Sequence, residues 1–197
     1  MIFKSFIVLI FSFMLVTCCS SSNINKDKTE VPERLKIKAD QFVISKTGKE
    51  CFNNYIKPDF EKITKIKDGY LMVYNFSIPD KKDIEGEIRF SIDSIGNIQK
   101  DKEIVGIPEC VSNPGNCGFN ISKNEAINIA KQNNLEEGIK DWKVSFTWES
   151  GQRKYVWQII TTLTESPNTE TNRSSGKTML IDPGNGSVIK TEEWRIN

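Results

Sequence analysis

One short pattern constrains the fold most: an apolar residue and an aspartate, a glycine-containing turn, and then another apolar residue. It occurs twice, as SIDSIGNI at residues 91–98 and as LIDPGNGSVI at residues 180–189, with the first turn one residue shorter. The matched residues are Ile92, Asp93, Gly96 and Ile98 in the first copy and Ile181, Asp182, Gly186 and Val188 in the second. A strand, turn and strand signature repeated in this way indicates an internal duplication.

The second copy of this turn could be a ligand site or a simple bend. A calcium site needs roughly six to eight oxygen ligands, whereas Asp182 is the one carboxylate of the loop. A phosphate-binding loop opens a helix, but Ser187, Val188 and Ile189 have strand composition. Because Pro183 fixes one turn dihedral and the glycines supply positive φ, the loop predicts a hairpin bend.

Each half of the chain predicts one helix followed by four strands. In the first half, apolar residues at helical spacing predict a helix from Leu35 to about Lys46, which Gly48 ends. In the second half, Ser122 and Glu125 form a capping box at the start of a helix. The predicted strands are 60–66, 70–78, 87–93 and 97–104, then 142–148, 155–163 and the two arms of the closing hairpin, with loops over 79–86 and 164–176.

Trp142, Phe146 and Trp148 alternate along one predicted strand and therefore lie on one face of a sheet. Such a face either packs against a helix or forms a platform on which sugars or peptides stack. The helix of the second half needs a matching apolar surface, which favours the packed face. The residues between these aromatic side chains would then face solvent.

The first residues predict a bacterial lipoprotein signal peptide. A single lysine precedes an apolar run over 6–16, which is shorter than the roughly 20 residues of a membrane-spanning helix. Residues 15–18, LVTC, resemble a lipobox, which makes Cys18 the predicted lipidation site. Cys19 is the alternative, because threonine is bulkier than the residue that usually precedes a lipidated cysteine. The polar residues that follow predict a flexible tether.

Three cysteines lie beyond the signal region. Cys110 and Cys117 bracket the sequence VSNPGN, whose Asn, Pro and Gly residues turn the chain back on itself and predict a disulfide. A redox pair would usually be spaced as Cys-x-x-Cys, and a metal site would need further ligands. Cys51 is left over, either as a buried free thiol or paired with Cys19.

The composition excludes several functional classes. The chain has no histidine, which removes the Ser-His and Cys-His nucleophile pairs, the usual zinc ligands and the commonest general base. Adjacent acids, such as Glu136 with Glu137, point in different directions and predict solvated charges. The sequence therefore predicts no catalytic residue, no metal ligand and no cofactor. Removing residues 1–17 takes Lys4 from the 27 basic residues and leaves 26 against 26 acidic ones, so nucleic acid is not a predicted partner.

The second half resembles a PepSY domain. The resemblance rests on ISKNEAINIAK, YVWQI and LIDPGNGSVI, which match a serine-capped helix, a Tyr-x-Trp strand and a terminal Asp-x-x-x-Gly-x-Val hairpin over about residues 119–195. Residues 35–105 resemble a diverged copy, with YLMVY as the aromatic strand. The resemblance implies an α+β fold of two cystatin-like modules, each with one helix packed on an antiparallel sheet of about four strands.

PepSY domains occur in propeptides of thermolysin-like metallopeptidases and in cell-envelope proteins, and the family carries no catalytic residues. The resemblance implies a non-catalytic lipoprotein, lipid-anchored at the outer membrane or cell surface, that binds or inhibits a protein partner such as a peptidase. The alternative is a surface scaffold or solute-binding lipoprotein with a ligand between the modules. The predicted divisions are 1–17 signal peptide, 18–34 tether, 35–105 first module, 106–118 disulfide-closed linker and 119–197 second module.

The lipobox predicts that the mature chain begins at a lipid-modified Cys18. Mass spectrometry of the envelope-extracted protein should find lipid on this residue, and Cys18→Ala should block processing because the modified thiol is missing. Cys19→Ala is the matched control and should leave processing unchanged. An unmodified cysteine, or cleavage at another residue, would contradict the prediction.

Overall fold

A computed structural model describes residues 30–166 and 173–196. Over these ranges the predicted α+β class is confirmed, with two antiparallel sheets of four strands each. The elements are α1 (Glu33–Thr47), α2 (Lys49–Tyr55), β1 (Ile56–Pro58), β2 (Thr64–Ile66), β3 (Gly69–Ile78), β4 (Lys81–Asp93), α3 (Lys123–Gln132), β5 (Lys143–Glu149), β6 (Lys154–Glu165), β7 (Ser174–Ile181) and β8 (Val188–Ile196). None of the helices in the described ranges is long and apolar enough to cross a membrane.

The first sheet is built around β3. β4 pairs along one side of β3, and β1 and β2 pair with opposite ends of its other side. The prediction of a strand over 60–66 is therefore wrong in its first part. The Asp59 carboxylate accepts the backbone N–H groups of Glu61 and Lys62 at 3.1 and 3.3 Å and bends the chain there.

Two further predictions for the first half are wrong. Residues 79–86 are not a loop, because β4 begins at Lys81 and Ile84 anchors it in the core while its charged neighbours stay exposed. Residues 97–104 are not a continuous strand. They lie along β4 through isolated bridges at Ile98 and Val105, and a turn separates the two bridges.

The second sheet contains β5, β6, β7 and β8 in chain order. The predicted strands 142–148 and 155–163 agree with β5 and β6 to within two residues at their ends, whereas β7 and β8 extend beyond the predicted arms of the closing hairpin. The predicted loop over 164–176 is too long, because β6 continues to Glu165 and β7 begins at Ser174, with Thr164 paired to Ser175. Residues 167–172, which join these two strands, lie outside the described residues.

Both predicted helices are present. α1 ends where Gly48 adopts a φ of 84° and donates its N–H to the carbonyl of Ile44 at 2.8 Å. α3 begins with the predicted capping box, in which the Glu125 N–H donates to Ser122 Oγ at 3.3 Å and the Glu125 carboxylate accepts the Ser122 N–H at 2.7 Å. α2 was not predicted, because none of its seven residues is buried and no apolar stripe marks it.

The two copies of the repeated pattern form closely similar hairpin bends. The Asp93 carboxylate accepts two backbone N–H groups of its own turn at 3.0 and 2.8 Å. The Asp182 carboxylate likewise accepts two at 2.7 and 3.3 Å. These hydrogen bonds are typical of a structural Asx turn. The prediction of a bend at residues 182–186 is therefore confirmed.

A glycine in each bend also lies against a helix. Gly96 and Gly186 have φ values of 91° and 75°, a region that favours glycine. A Cβ on Gly96 would lie 3.3 Å from a methyl carbon of Leu35 in α1. A Cβ on Gly186 would lie 2.8 Å from a methyl carbon of Ile129 in α3. Each bend therefore closes its strands and packs on the helix of the same half.

One hydrophobic core joins the two sheets. Tyr155 of β6 stacks on Phe76 of β3 with ring centroids 5.5 Å apart, and its hydroxyl lies 3.5 Å from the Glu87 carbonyl oxygen. A Cβ on Gly86 would lie 2.3 Å from that hydroxyl oxygen, so the tyrosine occupies the space of a side chain. Phe119 contacts both Phe76 and Tyr155, at 5.2 and 6.5 Å between centroids. The sheets therefore share one packed interior.

Tyr155→Ala should lower the free energy of unfolding by about 3–5 kcal/mol, because it removes a buried ring and leaves a cavity. Tyr155→Phe is the matched control and should cost less than about 1 kcal/mol, since the hydroxyl makes one long hydrogen bond. Chemical denaturation followed by circular dichroism measures both changes. Equal losses in the two variants would contradict the role assigned to the ring.

Candidate binding surface

β8 forms an outer edge of the second sheet. It pairs with β7 over its length, and within the described ranges no strand pairs with its other side. Most of the strand is exposed. Its charged residues are Lys190, Glu192, Glu193 and Arg195. An exposed edge of this kind presents backbone N–H and C=O groups to which another strand can bond.

A groove of about 570 Å³ lies beside β8 on the face of the second sheet that points away from α3. Cross-strand pairing places Lys143, Ile160 and Thr178 in one row of this face. Trp194 of β8 lies on the same face, where it pairs with Gly176. The groove is lined by Lys140, Asp141, Lys143, Ile160, Thr162, Thr178 and Trp194. Its lining combines apolar side chains with the charged side chains of Lys140, Asp141 and Lys143.

Trp194 is held firmly on this face. Its indole N–H donates to the Thr161 carbonyl at 3.2 Å, and its ring covers Gly176, where a Cβ would approach ring carbons to 2.8 Å. Trp194 is not among the residues that the sequence patterns single out. Side chains alternate between the two faces of a strand, and this alternation places Trp194 on the same face as Glu192.

Phe146 and Trp148 of β5, and Trp142 just before it, pack inward, as predicted. Phe146 stacks on Tyr155 at 5.0 Å and meets Trp157 edge-on at 5.4 Å between centroids. Trp148 contacts Tyr155 edge-on at 5.2 Å. Trp142 is half-buried against the core, and its indole N–H donates to a backbone carbonyl at 3.0 Å. These rings therefore belong to the interior and leave Trp194 as the aromatic residue of the outer face.

Two acids of the second half, Asp182 and Glu136, are held in a turn and in ion pairs. Burial alone would raise the pKa of Asp182, but the hydrogen bond from Lys154 at 2.7 Å and those of the turn amides outweigh it and lower the pKa. Glu136 bonds to Lys177 at 2.6 Å, which raises the pKa of that lysine. Charge pairing and turn hydrogen bonds thus account for the pKa shifts of Asp182 and Lys177.

The structure brings the predicted disulfide partners together. The sulfur atoms of Cys110 and Cys117 lie at disulfide distance, and their Cα atoms are 5.5 Å apart. Cys51 of α2 lies beside them, and the three sulfur atoms lie within 4.8 Å of one another. The predicted lipidation site Cys18 and its alternative Cys19 lie outside the described residues.

No protein-family model, no curated protein and no solved structure matches this chain. The functional proposal therefore depends on the residues of the chain and on their geometry.

Proposed function

We propose that this chain is a non-catalytic lipoprotein of the bacterial cell envelope that binds a protein partner, such as a peptidase, through the second sheet. The observation that carries the proposal is the edge of β8, which no described strand covers, beside the groove that contains Trp194. A strand added from the partner would bond to the backbone of β8. Its alternate side chains would enter the groove, which supplies specificity.

We also propose that the chain contains two PepSY-like modules with a cystatin-like fold, 35–105 and 119–197, joined by the linker 106–118. The matching bends at Asp93 and Asp182 and their glycine contacts with α1 and α3 support a duplication. The strand orders also support it. In the first sheet, β1 and β2 together occupy the position that β5 has in the second sheet. β3 then corresponds to β6 and β4 to β7, and the bridged segment after Asp93 corresponds to β8.

The chemistry of the chain favours binding over catalysis. The chain has no histidine to act as a general base. Burial and a hydrogen bond to Asp40 at 2.8 Å raise the pKa of Tyr74, so this phenol stays protonated at neutral pH. The lowered pKa of Asp182 follows from its ion pair and its turn. The pKa shifts of Tyr74 and Asp182 thus both follow from burial and from structural partners.

The packing between the sheets favours a protein partner over a solute held between the modules. The rings of Phe76, Phe119, Phe146 and Tyr155 fill the space where the two halves meet. A ligand at that position would have to displace buried aromatic side chains. The groove that contains Trp194 is instead open to solvent and includes one residue of the edge strand β8, so a peptide segment added along β8 would reach it.

The variant Trp194→Ala with Ile196→Glu should weaken partner binding by about tenfold or more, because it removes the groove's ring and places a charge on the edge strand. Ile95→Glu is the matched control, since Ile95 is 58% exposed and Ile196 is 55% exposed. Each full-length protein is immobilised and cross-linked in detergent-solubilised envelope. The wild type and the control should each capture one abundant partner. Quantitative mass spectrometry measures the difference.

Equal capture by all three proteins, with circular dichroism showing intact folds, would contradict binding along β8. The non-catalytic assignment has its own test. It fails if the purified chain turns over a substrate and a carboxylate substitution abolishes turnover while leaving the fold unchanged. The capture experiment tests whether the partner binds along β8, whereas the turnover experiment tests whether the chain is catalytic. Either proposal can therefore fail without the other.

A further inference from the structure

The three cysteines of the folded region form one cluster. Cys51 comes from α2, whereas Cys110 and Cys117 come from the linker that joins the two halves. All three sulfur atoms lie within 4.8 Å of one another. This upper limit is longer than a van der Waals contact between sulfur atoms, but it places all three sulfur atoms in one small group. The free thiol is thus held next to both sulfur atoms of the disulfide.

The surrounding contacts hold this arrangement in place. The Val111 N–H donates to the Lys46 carbonyl at 3.0 Å, and the Lys46 ammonium binds Glu109 at 3.0 Å. These bonds fix the start of the linker against the end of α1. Gly48 is the one residue between α1 and α2, so Cys51 is held close to the same point.

We propose that Cys51 exchanges with the Cys110–Cys117 disulfide, so that the three cysteines share one disulfide among them. The Cys51 thiolate forms a bond to one sulfur of the pair, and the bond between Cys110 and Cys117 breaks. The electron pair of the broken bond stays on the other sulfur. That sulfur then takes up one proton, which balances the proton that Cys51 lost. One disulfide and one thiol are present before and after, so no oxidant or reductant is needed.

The exchanged forms differ from the original form in what they connect. The Cys110–Cys117 bond closes a loop with a sequence separation of 7, whereas a Cys51–Cys110 bond would span 59 residues. A longer closed loop restricts the unfolded chain more strongly. The exchanged bond would tie α2 to the linker and stiffen the junction between the two halves. The proposal therefore assigns Cys51 a conformational role that is independent of partner binding.

The rate of exchange should rise with pH, because the thiolate is the attacking species. Burial raises the pKa of the Cys51 thiol, so the group is mostly protonated at neutral pH. The charged and titratable side chains that line the adjoining cavity, which has a volume of about 620 Å³, are Lys49, Glu50, Tyr55, Asp80 and Lys81. Exchange should therefore be slower near pH 7 than near pH 9.

The wild-type chain provides the first test. The full-length protein in detergent, without denaturant, is treated with a slow alkylating reagent at pH 7 and pH 9, and the labelled residues are located by peptide mass spectrometry. Label on Cys110 or Cys117 in addition to Cys51, increasing with pH and independent of protein concentration, supports exchange. Label on Cys51 alone at both pH values overturns the proposal. Labelling of Cys110 or Cys117 that increases with protein concentration also overturns it.

Single substitutions provide the second test. After treatment with oxidised glutathione, Cys117→Ser should contain a Cys51–Cys110 disulfide, because these two thiols are then the remaining neighbours. Cys51→Ser is the control and should keep Cys110 and Cys117 paired and unlabelled. If circular dichroism shows a folded Cys117→Ser protein in which Cys51 and Cys110 stay unlinked, the proposal is wrong.

Discussion

The stacking of Tyr155 on Phe76 is the contact on which the rest of the structure depends. The ring of Tyr155 lies between strands of the two sheets, and two glycines make room for it. A Cβ on Gly86 or on Gly106 would lie 2.3 or 2.9 Å from the tyrosine hydroxyl oxygen. Aromatic pairs contribute roughly 0.5–1.5 kcal/mol beyond the area they bury, and Phe119 extends the same cluster. The two halves therefore behave as one packed body.

This shared interior determines which surfaces of the sheets remain exposed. The inward faces of both sheets are occupied by the core and by the helices, and the junction between the sheets is filled by aromatic rings. What remains in the described ranges includes the outer face of the second sheet and the edge of β8. Trp194 supplies an apolar surface there. The proposed partner would therefore bind at this outer face and along the edge of β8.

Sequence patterns predicted best those elements whose signals are local. Ser122 and Glu125 mark the start of α3 by themselves, and the alternation of Trp142, Phe146 and Trp148 predicts β5 and its buried face. The first sheet was predicted less well because its strand ends depend on distant contacts. Ile84 holds the start of β4 only because the core lies beneath it. No sequence spacing indicates that Cys51 lies beside Cys110, since the fold alone brings them together.

The shared core can be tested by equilibrium unfolding of the disulfide-intact protein, followed with two probes. All four tryptophans lie in the second half of the chain, so their fluorescence reports on that half, whereas far-ultraviolet circular dichroism reports on both. If Tyr155 and its neighbours couple the halves into one cooperative unit, the two probes should give the same midpoint and slope. Two separate transitions, with the fluorescence change displaced from part of the dichroism change, would contradict the shared core.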